Sequence, residues 1–220
     1  MDLKQRTDRF RQQYRTNISR WYSGVAHMAF VFGAGGAMML YAFSQVTRLS
    51  MTVIGVILFA LLLGNLGEYV AHKSLGHRKR RFAGLFYSRH SGDHHTFFTH
   101  DDYTINSLRD LRVVLFPAFL LVAVTLLIAL PLAGIGYWLL GADAGWALAG
   151  GVLLSYLFYE FIHLCDHLPQ HNPLTKLPLV RQLRAHHRHH HDPAGLTSNF
   201  NVTLPITDWL LGTKARAEKQ

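Results

Sequence analysis

The chain has a single cysteine, Cys165, and this scarcity removes several kinds of site from consideration. One thiol cannot form an intramolecular disulfide, and no Cys-x-x-Cys motif can exist. Any metal site must therefore be built from histidine, with carboxylates as the other available ligand type. Cys165 lies two residues from both His163 and His167. On a helix its thiol would point away from both imidazoles, so we expect a buried structural residue rather than a ligand.

Acidic residues are also few, with 13 Asp and Glu against 22 Lys and Arg in 220 residues, which gives a formal net charge of +9. A basic protein can bind nucleic acid, but no zinc-finger, helix-turn-helix or RNA-binding signature is present. The positive charges instead flank long apolar runs, which is typical of membrane topology. We therefore expect no nucleic-acid partner and assign the charge to membrane orientation and to contact with lipid headgroups.

Half of the residues are hydrophobic, and they include four runs long enough to cross a bilayer as helices. The charged segment 1–20 lacks the apolar core and cleavage site of a signal peptide, so the first apolar run should remain as a span. The segment 132–140 is too short to cross alone, and would either extend the third helix beyond Pro131 or lie in the interface. The predicted spans cover about residues 21–43, 51–71, 113–130 and 146–164.

Four spans place the segments 1–20, 72–112 and 165–220 on the same side of the membrane. These segments contain 21 of the 22 Lys and Arg residues, and the exception is Arg48. Because cytoplasmic loops carry the excess of Lys and Arg, we expect both termini in the cytoplasm. A fifth span at 132–140 would place the last two histidine clusters on the opposite side of the membrane and would separate the Lys and Arg residues. The sequence therefore predicts one all-α domain over residues 1–220, with four transmembrane helices and a cytosolic helical cap formed by 72–112 and 165–213.

Ten histidines fall into four short clusters, and each cluster follows the second or the fourth predicted span on the cytoplasmic side. Imidazole is the usual protein ligand for zinc, iron and copper. One pair alone would be read as solvated or hydrogen-bonded, but four clusters on one membrane face favour a polynuclear metal site. The predicted ligands are His72, His77, His90, His94, His95, His163, His167, His187, His190 and His191.

Three of the clusters have helical spacing, because residues three or four apart share a helix face. This rule pairs His90 with His94. His72 and His77 are five apart, roughly 140° around a regular helix, so they converge only if the helix ends or bulges near Gly76. The last cluster has two possible registers, of which we prefer the one that uses His187, His190 and His191. The alternative register uses His186, His189 and His190.

Acidic residues near the clusters are candidates for supporting roles. Asp93 is adjacent to His94, and it could ligate a metal or accept a hydrogen bond from the second nitrogen of a ligand. A carboxylate at the end of a span is costly unless it is paired. Such a group could fix the tautomer of an imidazole or form a salt bridge with a nearby arginine, and both alternatives stay open. The candidates are Glu68, Asp93, Glu160 and Asp166.

The order of these residues resembles that of the fatty acid hydroxylase superfamily, the membrane-integral histidine-rich group that includes fatty acid 2-hydroxylases, sterol desaturases and C-4 sterol methyl oxidases. The resemblance covers about residues 60–213. The second histidine cluster of this chain, His90-x3-His94-His95, has one residue more than the His-x2-His-His spacing that is commoner in the superfamily. The matching stretches are Gly67-Glu68-Tyr69-x2-His72-x4-His77, His90-x3-His94-His95, Tyr159-Glu160-x2-His163-x3-His167-Leu168-Pro169, Leu183-x2-His186-His187-x2-His190-His191, Asn199-Phe200 and Asp208-Trp209-x2-Gly212-Thr213.

The resemblance implies a membrane anchor topped by a cytosolic cap that holds two metal ions, iron in the active enzyme, with zinc as a possible replacement in purified protein. It implies hydroxylation or desaturation of a membrane lipid with O2 as co-substrate. The fatty acid 2-hydroxylase branch is nearest, and Asn199 is a further candidate for a supporting role. The His-Pro-Gly-Gly haem motif of cytochrome b5 is absent, which implies a separate electron donor of the cytochrome b5, ferredoxin or rubredoxin type. The small size favours a bacterial inner membrane over the endoplasmic reticulum.

Two other classes of protein could use clustered histidines. A zinc-dependent membrane hydrolase is disfavoured because the chain has no His-Glu-x2-His motif. Ten ligands also exceed the three protein ligands of a catalytic zinc site. A metal transporter would carry polar ligands near the middle of the membrane, where the sequence places only His27.

Overall fold

The computed structural model describes residues 2–215, which are largely helical and contain no strand, as the predicted all-α fold class requires. Residue 1 and residues 216–220 of the predicted cytoplasmic segments lie outside the described part. Short helical turns connect the longer elements. The principal helices are α1 (Leu3–Asn17), α2 (Gly24–Ser44), α3 (Met51–Gly76), α4 (84–97), α5 (118–140), α6 (Ala142–Asp166), α7 (Pro178–His190) and α8 (Ile206–Leu210).

Within residues 2–215, four helical stretches are long and apolar enough to cross a membrane. Large apolar side chains such as Leu58 and Leu127 are exposed on them, which suits lipid better than water. The chain is therefore an integral membrane protein. The four stretches are Gly24–Ser44, Met51–Gly76, Leu108–Leu140 and Ala142–Asp166.

The apolar segment 132–140 extends the third membrane helix. Pro131 lies in the first turn of the stretch Leu130–Leu140, directly after a π-helical turn at Thr125–Ala129. Proline has no N–H to donate, and a widened turn is a common way for a helix to accommodate a missing hydrogen bond. The sequence left open whether 132–140 extends the third helix or lies in the membrane interface, and in the structure it extends the helix.

The same membrane stretch is interrupted at 115–117, because the residue before a proline favours extended backbone. The backbone groups of Phe116, which precedes Pro117, find side-chain partners. The Phe116 N–H donates to Glu160 Oε2 at 3.3 Å, and the Phe116 carbonyl accepts from His27 Nε2 at 2.9 Å. The second oxygen of Glu160 accepts from the Tyr156 hydroxyl at 2.7 Å. Glu160 therefore accepts a hydrogen bond from a backbone N–H that the break in the helix leaves without a helical partner. The sequence suggested an imidazole or an arginine as its partner, and the structure has the Phe116 N–H and the Tyr156 hydroxyl instead.

Replacing Glu160 with leucine is expected to destabilise the protein by about 2–4 kcal/mol, because the Phe116 N–H and the Tyr156 hydroxyl would lose a buried acceptor. Glutamine can accept from Phe116 and donate to Tyr156, so Glu160→Gln should unfold close to the wild-type temperature. Thermal unfolding in detergent measures both variants. Equal unfolding temperatures for the two variants would contradict this assignment.

The helices divide between two compact units, which are described one at a time. The first unit contains all ten clustered histidines and consists of Met1–Gly24, Leu66–Leu115 and Phe161–Gln220, as far as these are described. The second unit consists of Val25–Asn65 and Phe116–Glu160.

The second unit has a close-packed apolar core. Val53, Leu121 and Leu153 are buried in it. A Cβ atom on Gly150 would lie 2.6 Å from the ring of Phe43. Small residues at such positions let membrane helices approach closely, which compensates for the weak hydrophobic driving force within a bilayer.

Candidate metal centre

His72 and His77 converge because the last turn of α3 is a π-helix, His72–Gly76. In a π-helix each N–H bonds to the carbonyl five residues earlier, and the His77 N–H does so to His72 O at 3.1 Å. Residues five apart then share a face, and the two Nε2 atoms are 3.1 Å apart. The sequence left open whether the helix ends or bulges between these histidines, and the structure has a bulge in the form of a widened turn.

Helix α4 repeats this geometry. Its middle section, Ser88–His94, is also a π-helix, and the His95 N–H bonds to His90 O. The Nε2 atoms of His90 and His95 are 3.1 Å apart. The rings of His90 and His94 also lie side by side, stacked with centres 5.4 Å apart, but the wider turn brings the Nε2 atom of His90 closest to that of His95. The extra residue of this cluster is accommodated by the π-helix.

The imidazoles form two groups, which we name group A and group B. Within each group, one ligand nitrogen per residue lies within 4.8 Å of every other. Helix α7 contributes to both: His190 Nε2 is 2.9 Å from His77 Nε2 in group A, and His187 belongs to group B. Group A contains His72, His77, His90, His95 and His190, and group B contains His94, His163, His167 and His187.

His191 extends group B. Its Nε2 lies 3.1 Å from the Nε2 of His94 and 3.2 Å from that of His187. His163 and His167, four apart on α6, reach the same group, and His163 Nε2 is 3.2 Å from His94 Nε2. All ten histidines that the sequence singled out therefore lie in one of two adjoining imidazole clusters.

The structure also places the two alternative histidines of the last cluster. His187, His190 and His191 are buried, whereas His189 is exposed. The Nε2 of His186 lies 3.5 Å from Asp208 Oδ2, outside both groups. The geometry thus favours the preferred register, since the three buried rings lie together at the C-terminal end of α7 and in the residue that follows it.

Backbone carbonyl oxygens hold at least five of the ten rings. In each case the Nδ1–H donates to a main-chain oxygen, which leaves the Nε2 lone pair directed into the cluster. No sequence signal marks these acceptors, since every residue has a carbonyl group. The pairs are His72 with Phe200, His94 with Val113 at 3.0 Å, His167 with Tyr103 at 2.9 Å, His190 with Ser198 at 2.7 Å and His191 with Phe98 at 2.8 Å.

This arrangement fits metal ions better than hydrogen bonds among the rings. His94 and His191 both donate through Nδ1, so their Nε2 atoms, 3.1 Å apart, are both acceptors and cannot bond to each other. Nitrogen ligands at about 2.0–2.1 Å from one ion lie roughly 3 Å apart when they are neighbours in its coordination shell. A cation shared by the two nitrogens would satisfy both.

Burial keeps the imidazoles neutral, which is the form that binds metal. It lowers the pKa of His77 and that of His94 to about 4. The pKa of His190 falls to about 3, because burial is reinforced by neighbouring histidines such as His77. At neutral pH the Nε2 atoms of His94 and His191 are therefore not protonated, so a proton does not relieve the repulsion between their lone pairs.

Glu68 and Asp208 act on the backbone that orients His72. Glu68 accepts hydrogen bonds from the Val202 N–H and from the Thr203 N–H at 2.9 Å. Asp208 accepts from the Phe200 N–H at 2.9 Å. Together they fix the segment 200–203, which includes the carbonyl group that receives the His72 Nδ1–H. The sequence pointed to Glu68 but gave no role to Asp208.

The remaining supporting candidates make no hydrogen bond to an imidazole of either group in the described part of the chain. Asp93 is half-buried; burial raises its pKa, and Arg89 and Arg112 partly offset that effect. Asp166 is fully buried, and its carboxylate accepts no hydrogen bond from a described residue. Asn199 has a left-handed backbone, with φ of 55°, and its amide donates to His186 O at 3.0 Å. Of the two alternatives that the sequence left open for these carboxylates, Asp93 and Asp166 have arginine charges nearby, from Arg89, Arg112 and Arg184, and no hydrogen bond to a clustered imidazole among the described residues.

Cys165 is buried and belongs to neither group of ligand atoms found among residues 2–215. This agrees with the expectation that it is a structural thiol. Its backbone carbonyl accepts a hydrogen bond from Arg184 at 3.0 Å, which ties the end of α6 to α7.

Gly76 lies against the ring of His90, and a Cβ atom there would come within 2.8 Å of its Cδ2 atom. Gly76→Ala is expected to displace this ring and to weaken metal binding in group A by about tenfold or more, although alanine is the better helix former. The matched control is Gly67→Ala, which adds a Cβ with no atom within 4 Å. Chelator competition on both variants measures the effect, and equal affinities would contradict it.

Four apolar helices and ten clustered imidazoles define an integral membrane protein with a histidine-lined candidate metal centre. The model of the family described as fatty acid hydroxylase matches residues 57–213. This range contains all ten histidines and well over half of the chain, so the protein belongs to the fatty acid hydroxylase family. Membership implies a membrane oxygenase of the lipid hydroxylase or desaturase type. No curated protein and no solved structure matches the chain.

Proposed function

We propose that this protein is a membrane-bound di-iron oxygenase that hydroxylates a C–H bond of a membrane lipid. The observation that carries the proposal is the division of the imidazoles into two adjoining groups, each with ligand nitrogens within 4.8 Å of one another. His191 extends group B, so each group offers five imidazoles. Two such groups match two ions rather than one.

The donor set narrows the choice of ion. All of its donors are imidazole nitrogens, which suit iron, copper, zinc and nickel. When bound, a pair of iron ions would supply the redox chemistry that activates dioxygen, which zinc cannot do. Zinc would occupy the same ligands in protein purified without added iron. The chain itself holds the rings neutral, orients them through backbone carbonyls and keeps most of them from water.

The overall reaction requires electrons from outside the chain. One oxygen atom of dioxygen enters the C–H bond and the other leaves as water, with two electrons and two protons consumed. We propose a separate donor protein of the cytochrome b5, ferredoxin or rubredoxin type. His77 and His95 are only partly buried, and the exposed cations at 78–81 follow His77 directly. An acidic donor would therefore meet group A first.

The membrane arrangement is part of the same proposal. The excess of Lys and Arg in the segments that contain the histidines favours a cytoplasmic metal centre. The lipid chain would enter from the bilayer. Desaturation would use the same metal ligands, and only the reaction product distinguishes it from hydroxylation.

The test is an oxygen-dependent turnover assay. Detergent-purified protein is loaded with iron, supplied with a chemical reductant and labelled dioxygen, and offered fatty acids, sphingolipids and sterols. We expect a lipid product that has gained one labelled oxygen atom, whereas a product that has lost two hydrogens would assign desaturation. His94→Ala and His190→Ala should be inserted in the membrane and inactive. Full activity in either variant would remove the basis of the proposal.

A further inference from the structure

Helix α1 precedes the part of the chain that the family model matches. Its buried residues are Thr7, Arg11 and Tyr14, with exposed fractions of 3%, 2% and 8%. The spacing of four and three places them on one face of the helix. A buried arginine on this face is unusual, because burying a guanidinium group is costly unless its donors are paired.

The Arg11 guanidinium is paired with one loop. Nε donates to Phe97 O at 2.7 Å, and a terminal nitrogen donates to Asp102 O at 2.7 Å. The other terminal nitrogen forms an ion pair with Asp102 Oδ1 at 2.8 Å. The guanidinium carbon also lies 4.8 Å from the centre of the Phe97 ring. Arg11 therefore holds both ends of the segment 97–102.

This segment orients two imidazoles of group B. The Phe98 carbonyl accepts from the His191 Nδ1–H at 2.8 Å, and the ring of Phe98 stacks on that of His167 with centres 4.1 Å apart. The next residue, Tyr103, provides the carbonyl that accepts from the His167 Nδ1–H at 2.9 Å. The backbone that Arg11 holds is thus the backbone that sets these two rings.

A second set of contacts from α1 leads to His94. Arg15 forms a bidentate pair with the buried carboxylate of Asp110, at 2.7 and 2.8 Å. The Tyr14 hydroxyl accepts from Arg112 at 3.0 Å. The neighbouring Val113 carbonyl accepts from the His94 Nδ1–H at 3.0 Å. Both sets of hydrogen bonds lead to ring-orienting carbonyl groups of group B, and among the described residues neither set includes a carbonyl group that orients a ring of group A.

We infer that α1 positions group B, with Arg11 as its principal positioning residue, so that a helix outside the family match controls occupancy of one of the two metal positions. This inference rests on the proposed function, because it requires that group B binds an ion. Arg11 touches no imidazole and acts through the carbonyl groups of the segment 97–103.

The experiment measures cobalt(II) binding to full-length detergent-purified protein, by plasma mass spectrometry and chelator competition. Arg11→Met removes every donor and keeps much of the side-chain length. Arg9→Met is the matched control, since Arg9 is exposed on the same helix. We expect two ions per chain in wild type and Arg9→Met. Arg11→Met should bind one ion normally and the other about 10- to 100-fold more weakly.

Double variants identify the position that is lost. His77→Ala removes a ligand of group A, and His187→Ala removes a ligand of group B. Combining Arg11→Met with His77→Ala should abolish tight binding. Combining it with His187→Ala should leave the one ion that His187→Ala retains. A general loss of stability would affect both combinations alike, so this contrast separates positioning from folding.

Each outcome decides a different claim. Two tightly bound ions in Arg11→Met, or loss of the group A ion, would overturn the inference and leave the proposed function standing. Wild-type protein that binds no ion would overturn both. If Arg11→Met does not fold, Arg11→Lys decides, because lysine keeps the charge but cannot reach both carbonyl groups with a fork of donors. Its group B affinity should fall about tenfold, and an unchanged affinity would overturn the inference.

Discussion

Replacing His187 with alanine is expected to abolish turnover and to release one of two metal ions. His187 is fully buried, belongs to group B and has its Nε2 atom 3.2 Å from that of His191. An alanine removes one nitrogen from a cluster with no nearby replacement donor, since His186 is directed to Asp208. Product formation and metal content per chain are measured on the same preparation.

The matched control for this prediction is His189→Ala. His189 lies in the same run of histidines on the same helix, but its side chain is exposed and outside both groups. We expect wild-type metal content and wild-type turnover. Loss of an ion in His189→Ala, with retention in His187→Ala, would show that the last cluster uses the other register.

Removing the metal ions with a chelator is expected to lower the unfolding temperature by about 15 °C or more. An ion at about 1,000 times its dissociation constant stabilises the folded chain by about 4 kcal/mol. In a protein of this size 1 kcal/mol corresponds to about 2–4 °C. Without an ion between them, the Nε2 lone pairs of His94 and His191 repel each other, which destabilises the folded chain further. Thermal unfolding is followed before chelation, after it and after the metal is returned.

The control is the double variant His77→Ala with His187→Ala, which lacks one ligand of each group. Its unfolding temperature should be low and should respond little to chelator or to added metal. An unfolding temperature that stays constant in the wild type while its metal is removed would mean that the ions do not hold the imidazoles together. Such a result would also weaken the di-iron proposal.

The fold class could be predicted because hydrophobicity along a membrane helix is a simple signal. Four apolar runs gave four candidate spans, and the helices Met51–Gly76 and Ala142–Asp166 have ends close to those predicted. The break at 115–117 was not predicted. Its stability depends on Glu160 and His27, which are far from Phe116 in sequence and meet it only in the folded chain.

The candidate site was predictable as a set of residues but less so as a geometry. Regular helical spacing correctly brought His163 and His167 to one group. It did not predict the pairing of His90 with His95, because a π-helix joins residues five apart and its position is not encoded by a residue type. An end or a bulge of the helix near Gly76 could be predicted only because His72 and His77, five residues apart, cannot converge on a regular helix.

The supporting residues were the hardest to predict. The sequence left two roles open for the carboxylates, support of an imidazole ring or a salt bridge with a nearby arginine. In this structure Glu68 and Asp208 bind backbone N–H groups instead, and they fix the path of the segment 200–203. Arg11 gave no signal at all, because a basic residue in a charged N-terminal helix is ordinarily a solvated one.

The use of main-chain carbonyl groups to orient the imidazole rings has a consequence for how the protein can be changed. Replacing Val113 or Ser198 with alanine leaves the carbonyl group in place, so an alanine scan would overlook these acceptors. Many side chains at these positions would be compatible with the same ring orientation. A designer who grafted the ten histidines onto a different helical bundle would transfer the ligands but not the oxygens that aim them.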